Sequence, residues 1–182
     1  MQRLLITVCV IALTLTLTAA YSLGGPTMQL TSSAFADGGK IPLKYVRSGA
    51  GGQNVSVPLT WSGAPAGTQS FALSVVDPHP VAHNWVHWLV IDIPKDATSI
   101  PEGASGQNMP PGAQELQNSF GNAGYGGPQP PPGSGDHPYV FTLYALNVPK
   151  VDLPRSTNLA AFKQAMEGKT LATATLTGYY GR

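Results

Sequence analysis

Cysteine is almost absent from this sequence, and charge is scarce. The single cysteine, Cys9, lies in an apolar run near the N-terminus. A chain cut after that run has no disulfide, no thiol nucleophile and no thiolate-ligated zinc. Charged residues make up 10% of the 182 positions, against roughly 25% in ordinary globular proteins. Lys plus Arg number 10 and Asp plus Glu 9, for a formal net charge of +1. That balance argues against a nucleic-acid binder, which needs clustered cations for phosphates, and against an acidic disordered chain. Neither Phe71–Pro94 nor Gly121–Pro149 contains a Lys or an Arg. An anion held between these segments must therefore rely on imidazole N–H groups, tyrosine hydroxyls and backbone amides.

What is present describes one loop-rich domain behind a leader. Gly (21) and Pro (17) are abundant, while 42% of residues are hydrophobic, enough for a core at this length. Arg3 precedes the uncharged run Leu4–Thr18, and Ala19-Ala20 follow. A basic start, an apolar middle and small residues at the end describe an export signal over residues 1–20. The alternative is an uncleaved membrane anchor, because the run approaches bilayer-spanning length. Residues 21–182 then form one domain, exported to the periplasm or secreted.

Period-two and doubly apolar runs predict strands over Asn54–Trp61, Ser70–Asp77, Trp85–Ile93 and Tyr139–Asn147. Strict alternation puts His87 on one face with Trp85 and Leu89. Strands apolar on both sides imply a sheet covered on both sides. Asn158 followed by Leu159, Phe162 and Met166, with Gly168 behind, predicts the single confident helix. The fold class is mostly β, with helices at the margins.

All four histidines fall in two segments, each joining a loop to an apolar strand. His79, His83 and His87 are spaced by four, but two prolines argue against a helix, so the spacing carries no metal-site meaning and no metal or other cofactor is expected. His87 beside Trp85 is by default a satisfied core histidine. Asp77, at the end of the preceding strand, can accept from an imidazole N–H and leave the other ring nitrogen for a ligand. His137 closes a long Gly/Pro loop, Gly124-Tyr125-Gly126-Gly127-Pro128-Gln129-Pro130-Pro131-Pro132. Its glycines could present backbone amides to an anion, and its prolines stiffen it.

Taken together, several stretches resemble the phosphatidylethanolamine-binding protein family, in its bacterial Raf-kinase-inhibitor-like branch. They are Asn54–Leu59, Pro65–Leu73, Asp77-Pro78, Trp85–Val90, Gly124–Pro131 and His137–Leu146, with Gly178–Arg182 fitting the last strand. The resemblance implies a large antiparallel sheet packed on a smaller one with few peripheral helices, and a small pocket for phosphate-type anions. It implies pocket roles for Asp77, Trp85, His87, Pro130, Pro131, His137 and Tyr139, and the Tyr125-Gly126-Gly127 loop belongs to the same reading. Departures stand at His79, where the family has a second acid, at Pro80-Val81, and at Pro138, where it has an arginine.

The expected function is non-catalytic binding of a phosphate, phosphoethanolamine or carboxylate-type anion, with a kinase or protease as a candidate protein partner. A homodimer, and membrane association through residues 4–20 if uncut, are compatible with the chain. Nucleic acid is not an expected partner. One alternative is an ester or phosphate-ester hydrolase built on Asp77, His87 and His137, for which no nucleophile is evident. Another is a structural envelope protein with a vestigial pocket. The histidine reading further predicts stronger anion binding below about pH 6.5, and an intact fold in His137→Ala.

Overall fold

The computed structural model describes residues 27–182. The leader and Cys9 lie outside the described residues. Nine strands and one helix follow in chain order: β1 (Gln29–Thr31), β2 (Gly39–Lys40), β3 (Leu59–Ser62), β4 (Ser70–Asp77), β5 (Trp85–Pro94), β6 (Ser99–Ile100), β7 (Gln114–Glu115), β8 (His137–Leu146), α1 (Leu159–Met166) and β9 (Thr170–Tyr180). Short 3-10 turns occupy Leu43–Tyr45 and Ser48–Ala50. Among the described residues no helix is long and apolar enough to cross a membrane.

Two sheets form. The larger runs β2-β9-β8-β4-β5-β7 and the smaller β1-β3-β6. Pairing is antiparallel except at the edge, where β2 lies parallel to β9. The expected architecture is thus present, with one parallel edge added. Leu30, Leu59 and Trp61 of the small sheet share a core with Phe71, Leu73, Val75, Trp88, Val90, Phe141, Leu143 and Leu176 of the large one. On the opposite face Ala72, Leu89, Ile91 and Leu146 pack with Phe162 and Met166 of α1. This two-sided cover is why β4 and β5 read as continuous apolar runs. The helix starts where Asn158 accepts from the Ala161 N–H (2.9 Å) and ends before Gly168 at φ +70°.

The predicted strand Asn54–Trp61 is only half right. Residues 54–58 are loop, entered through Asn54 at φ +56°, and strand pairing begins at Leu59. Most of β9 carried no prediction, because its alternating Thr and Ala residues give little hydrophobic contrast.

Irregularities in β5 aim the site. The pairing steps from Val75↔Trp88 to Val76↔Val86, leaving His87 as an extra residue in a bulge. Trp85 therefore stands opposite Asp77 and Trp88 opposite Val75, all on the face toward the small sheet. The bulge corrects the strict-alternation expectation: Leu89 turns to the helix side, and Trp88 replaces it on the histidine's side. A second irregularity beside Asp92 (φ +57°) swaps the faces again before Ile93.

Candidate functional site

Three adjacent strands deliver their polar residues to one end of the large sheet: Asp77 closes β4, Trp85 and His87 open β5, and His137 and Tyr139 open β8. They line a cavity of about 220 Å³ with Val81, Ala82, Phe120, Gln129, Pro130 and Pro131. That is below the roughly 300 Å³ at which drug-sized sites begin, room for a head-group-sized molecule but not for a whole lipid. No Lys or Arg is among the lining residues.

Asp77 pairs with His137, not with His87. His137 Nδ1 donates to Asp77 Oδ2 at 2.6 Å, and the His79 backbone N–H donates to Oδ1 at 2.9 Å. Ser134 Oγ lies 2.6 Å from the Pro131 carbonyl and 2.9 Å from His137 Nε2. A carbonyl only accepts, so the hydroxyl proton goes to Pro131 and the Ser134 oxygen accepts from Nε2–H. His137 thus bridges Ser134 and Asp77 through its two ring nitrogens. The His79 ring stacks on it at 3.8 Å between centroids, 18° from parallel.

The expected rim histidine is therefore a core residue. His137 has no accessible surface and Asp77 is 2% exposed. Removing one member of such a buried pair strands the other's charge and costs about 3–5 kcal/mol. His137→Ala is thus expected to damage the fold, not spare it. His137 forms part of the wall beneath the cavity and holds the Asp77 carboxylate in place.

His87 sits in a separate network. Its Nδ1 donates to the Gly126 carbonyl at 2.6 Å, and its own carbonyl accepts from the Gly126 N–H at 2.8 Å. The ring packs edge-on against Phe120 and Tyr139, with centroids 5.6 and 4.9 Å away. Burial pushes its pKa down to about 4; the Gly126 carbonyl and Asp77 oppose the shift, and Arg47 adds slightly to it. This overturns the expectation that His87 strengthens anion binding by charging below pH 6.5, because the ring stays neutral there.

Tyr139 is 1% exposed, and its hydroxyl has no hydrogen-bond partner. The Gln129 backbone N–H bears on this hydroxyl without closing a hydrogen bond. Burial, then the Asp77 charge, raise the phenol pKa, so the group remains a donor.

The glycine loop does not supply the expected amide nest. The Gly126 N–H is committed to His87, and the Gly127 N–H to Asn54 Oδ1 at 2.7 Å. Tyr125 sends its hydroxyl to the Tyr45 carbonyl (2.9 Å) and packs edge-on against Trp88, away from the open cavity. Tyr125, Gly126 and Gly127 are thus the frame behind the site rather than its lining. The glycines serve close approach: a Cβ on Gly127 would lie 2.2 Å from the Tyr45 carbonyl oxygen, and one on Gly126 would lie 2.6 Å from the Phe120 ring.

Sequence reasoning missed Phe120, Ser134 and two guanidinium groups. Phe120 stands alone in a polar loop, with no periodicity to flag it, yet Trp85 packs on it (5.3 Å) and Arg47 lies 3.7 Å above its ring. Arg182 Nε donates to the Pro130 carbonyl at 2.5 Å. Both arginines come from outside the two cation-free segments and brace the walls from behind.

Comparison with known proteins agrees with this architecture. A family model described as phosphatidylethanolamine-binding protein matches residues 31–181. The UPF0098 protein YbcL of Escherichia coli (strain K12) is 37% identical over 166 residues, which is 88% of this chain and 91% of YbcL. LppC of Mycobacterium tuberculosis, named as a candidate lipoprotein, is 40% identical over 154 residues, covering 83% of this chain and 73% of LppC. The crystal structure of E. coli YbcL, described as a new member of the mammalian PEBP family, superimposes with a TM-score of 0.81, covering 86% of this chain and 99% of that one. The homologue CT736 from Chlamydia trachomatis superimposes with a TM-score of 0.75 at 34% identity, covering 86% of this chain and 98% of that one. With the fold, the strand-end cluster and the matched length in accord, this chain belongs to the phosphatidylethanolamine-binding protein family.

Proposed function

We propose that the protein is a non-catalytic binding module for a small anion of phosphate, phosphoethanolamine or carboxylate type, exported by its leader. The observation that carries this reading is the cavity of about 220 Å³ at the strand ends, which gathers Asp77, Trp85 and His87 under an apolar rim. Val81 (53% exposed) and Trp85 (39% exposed) flank the cavity. Through them a protein partner would sense whether the site is filled. The name of LppC and the apolar run Leu4–Thr18 support export.

The test is thermal unfolding with increasing phosphate, phosphoethanolamine or acetate. A guest bound only by the folded state raises Tm with concentration, contributing about 2.7 kcal/mol at 100 times Kd. An unchanged Tm with all three would reject the proposal in favour of a vestigial pocket.

A hydrolase is the competing reading, and one observation favours it: Ser134, His137 and Asp77 stand in series at 2.9 and 2.6 Å, the order of a nucleophile, base and orienting acid. Against it, the Ser134 proton is directed to Pro131, and Ser134 does not line the cavity. Incubation with a fluorophosphonate probe should leave Ser134 unlabelled. Stoichiometric labelling, lost in Ser134→Ala, would establish catalysis instead.

A further inference from the structure

A second hollow adjoins the strand-end cavity but shares no lining residue with it. It is a polar groove of about 490 Å³, bounded by residues 47–56, 103–107 and 118–125. That volume lies within the roughly 300–1,000 Å³ of small-molecule sites. The two hollows meet where the Arg47 guanidinium, which lines the groove, lies 3.7 Å above the ring of Phe120, which lines the cavity.

The floor of the groove is fixed. Asn54 accepts from the Gly127 N–H and donates to the Tyr125 carbonyl. Asn118 donates to the Gly124 carbonyl and accepts from the Phe120 and Asn122 N–H groups. Ser105 accepts from the Tyr125 N–H and donates to Glu115. Side chains committed in this way hold the shape of the hollow and have little left for a guest.

The rim differs. Arg47, Ser48, Gln53, Gln107 and Asn122 also line the groove, and their side chains make no hydrogen bond or salt bridge with any described residue. No Asp or Glu lines it. Glu115, behind the floor, is held by Trp88, Ser105 and the Gly106 N–H, and Glu102 by Lys44 and Tyr45. Arg47 is therefore a half-buried guanidinium, held over an aromatic ring and left without a counter-charge. Its fork of N–H groups matches a carboxylate bidentately, and its placement on Phe120 lowers the entropy lost in forming that pair. The amides of Gln53, Gln107 and Asn122 each offer a donor and an acceptor, the complement of a peptide group. No aromatic face opens here for a sugar ring, because Tyr125 is 7% exposed and packs edge-on against Trp88.

We propose that this groove is a second binding site, which takes the carboxyl-terminal end of a short peptide. Arg47 grips the terminal carboxylate, while Gln53, Gln107 and Asn122 pair with the peptide N–H and C=O groups that precede it. The site is independent of what the strand-end cavity holds.

Nuclear magnetic resonance titration of the isotope-labelled protein with acetyl-dialanine, and with its C-terminal carboxamide, tests the idea. The reporters are the Arg47 Nε–H, the side-chain amides of Gln53, Gln107 and Asn122, and the Trp85 indole N–H for the other cavity. The acid should shift the groove signals saturably, and the carboxamide should bind at least about tenfold more weakly, because a hydrogen bond to a charged group outweighs a neutral one. Arg47→Gln should abolish the preference for the acid. Gln107→Ala, which leaves the guanidinium and its ring in place, should weaken both peptides about fivefold. Shifts confined to Trp85 would put the peptide in the strand-end cavity and overturn the proposal. Equal affinity for acid and carboxamide, a preference that survives Arg47→Gln, or no saturable shift would overturn it as well. If Arg47→Gln does not fold, the comparison of acid with carboxamide in the wild type and in Gln107→Ala still decides.

Discussion

A buried hydroxyl without a partner costs about 1–3 kcal/mol, and Tyr139 carries one on the cavity wall. Tyr139→Phe removes that cost while keeping the ring that packs on His87. The variant should be more stable than wild type by roughly 1 kcal/mol in urea unfolding, with anion affinity by calorimetry unchanged, because the hydroxyl is sealed from the cavity. Loss of stability would show that the hydroxyl is satisfied within the fold. At this scale the sequence was informative about which residues gather and poor about who pairs with whom. Asp77, His87, His137 and Tyr139 were identifiable because they end or begin apolar strands. That His137 rather than His87 takes the Asp77 carboxylate was not, because the choice depends on a bulge and on Ser134, a turn residue with no distinguishing pattern.

The bulge at His87 and the loop behind it act together as elements. The Tyr125–Pro128 stretch is held by Asn54, by the Tyr45 carbonyl and by the Arg47 N–H on the Pro128 carbonyl (3.1 Å). In return its Gly126 carbonyl fixes the His87 ring. Gly127→Ala forces a methyl toward the Tyr45 carbonyl and the Arg47 amide, at 2.2 and 2.7 Å without adjustment. The loop must lift, so the variant should lose about 1–3 kcal/mol of stability, and anion binding should fall with it, although Gly127 does not line the site. Retained affinity at reduced Tm would separate the loop from the function. Apolar strands and a capped helix were readable because periodicity and Asn158 announce them. The Thr/Ala strand β9 and the loop's docking partners were not, because small residues and backbone contacts leave little trace in hydropathy.

Across the whole molecule, scarcity of charge concentrates pH sensitivity in a few buried groups. His87 titrates near 6.5 when unfolded and near 4 when folded. A depressed pKa means that the unfolded chain binds the proton more readily, so this contribution is complete above pH 6.5 and is lost as pH falls toward 4. The difference is worth on the order of 3 kcal/mol. Urea midpoints measured from pH 7 to pH 4 should fall accordingly, and His87→Gln should flatten the profile. An equal slope in that variant would assign the acid sensitivity elsewhere. The two-layer plan was foreseeable from doubly apolar strands, whereas its parallel edge, made by two residues at Gly39-Lys40, was too short to leave a pattern.

Arg182 reaches back across the molecule: its side chain grips the Pro130 carbonyl and its own carbonyl accepts from the Gly133 N–H at 2.8 Å. One lip of the guest chamber is thus tethered to a single side chain far from it in sequence. Arg182→Ala would retune how tightly the mouth is held, so affinity measurements belong on protein whose Arg182 is left untouched.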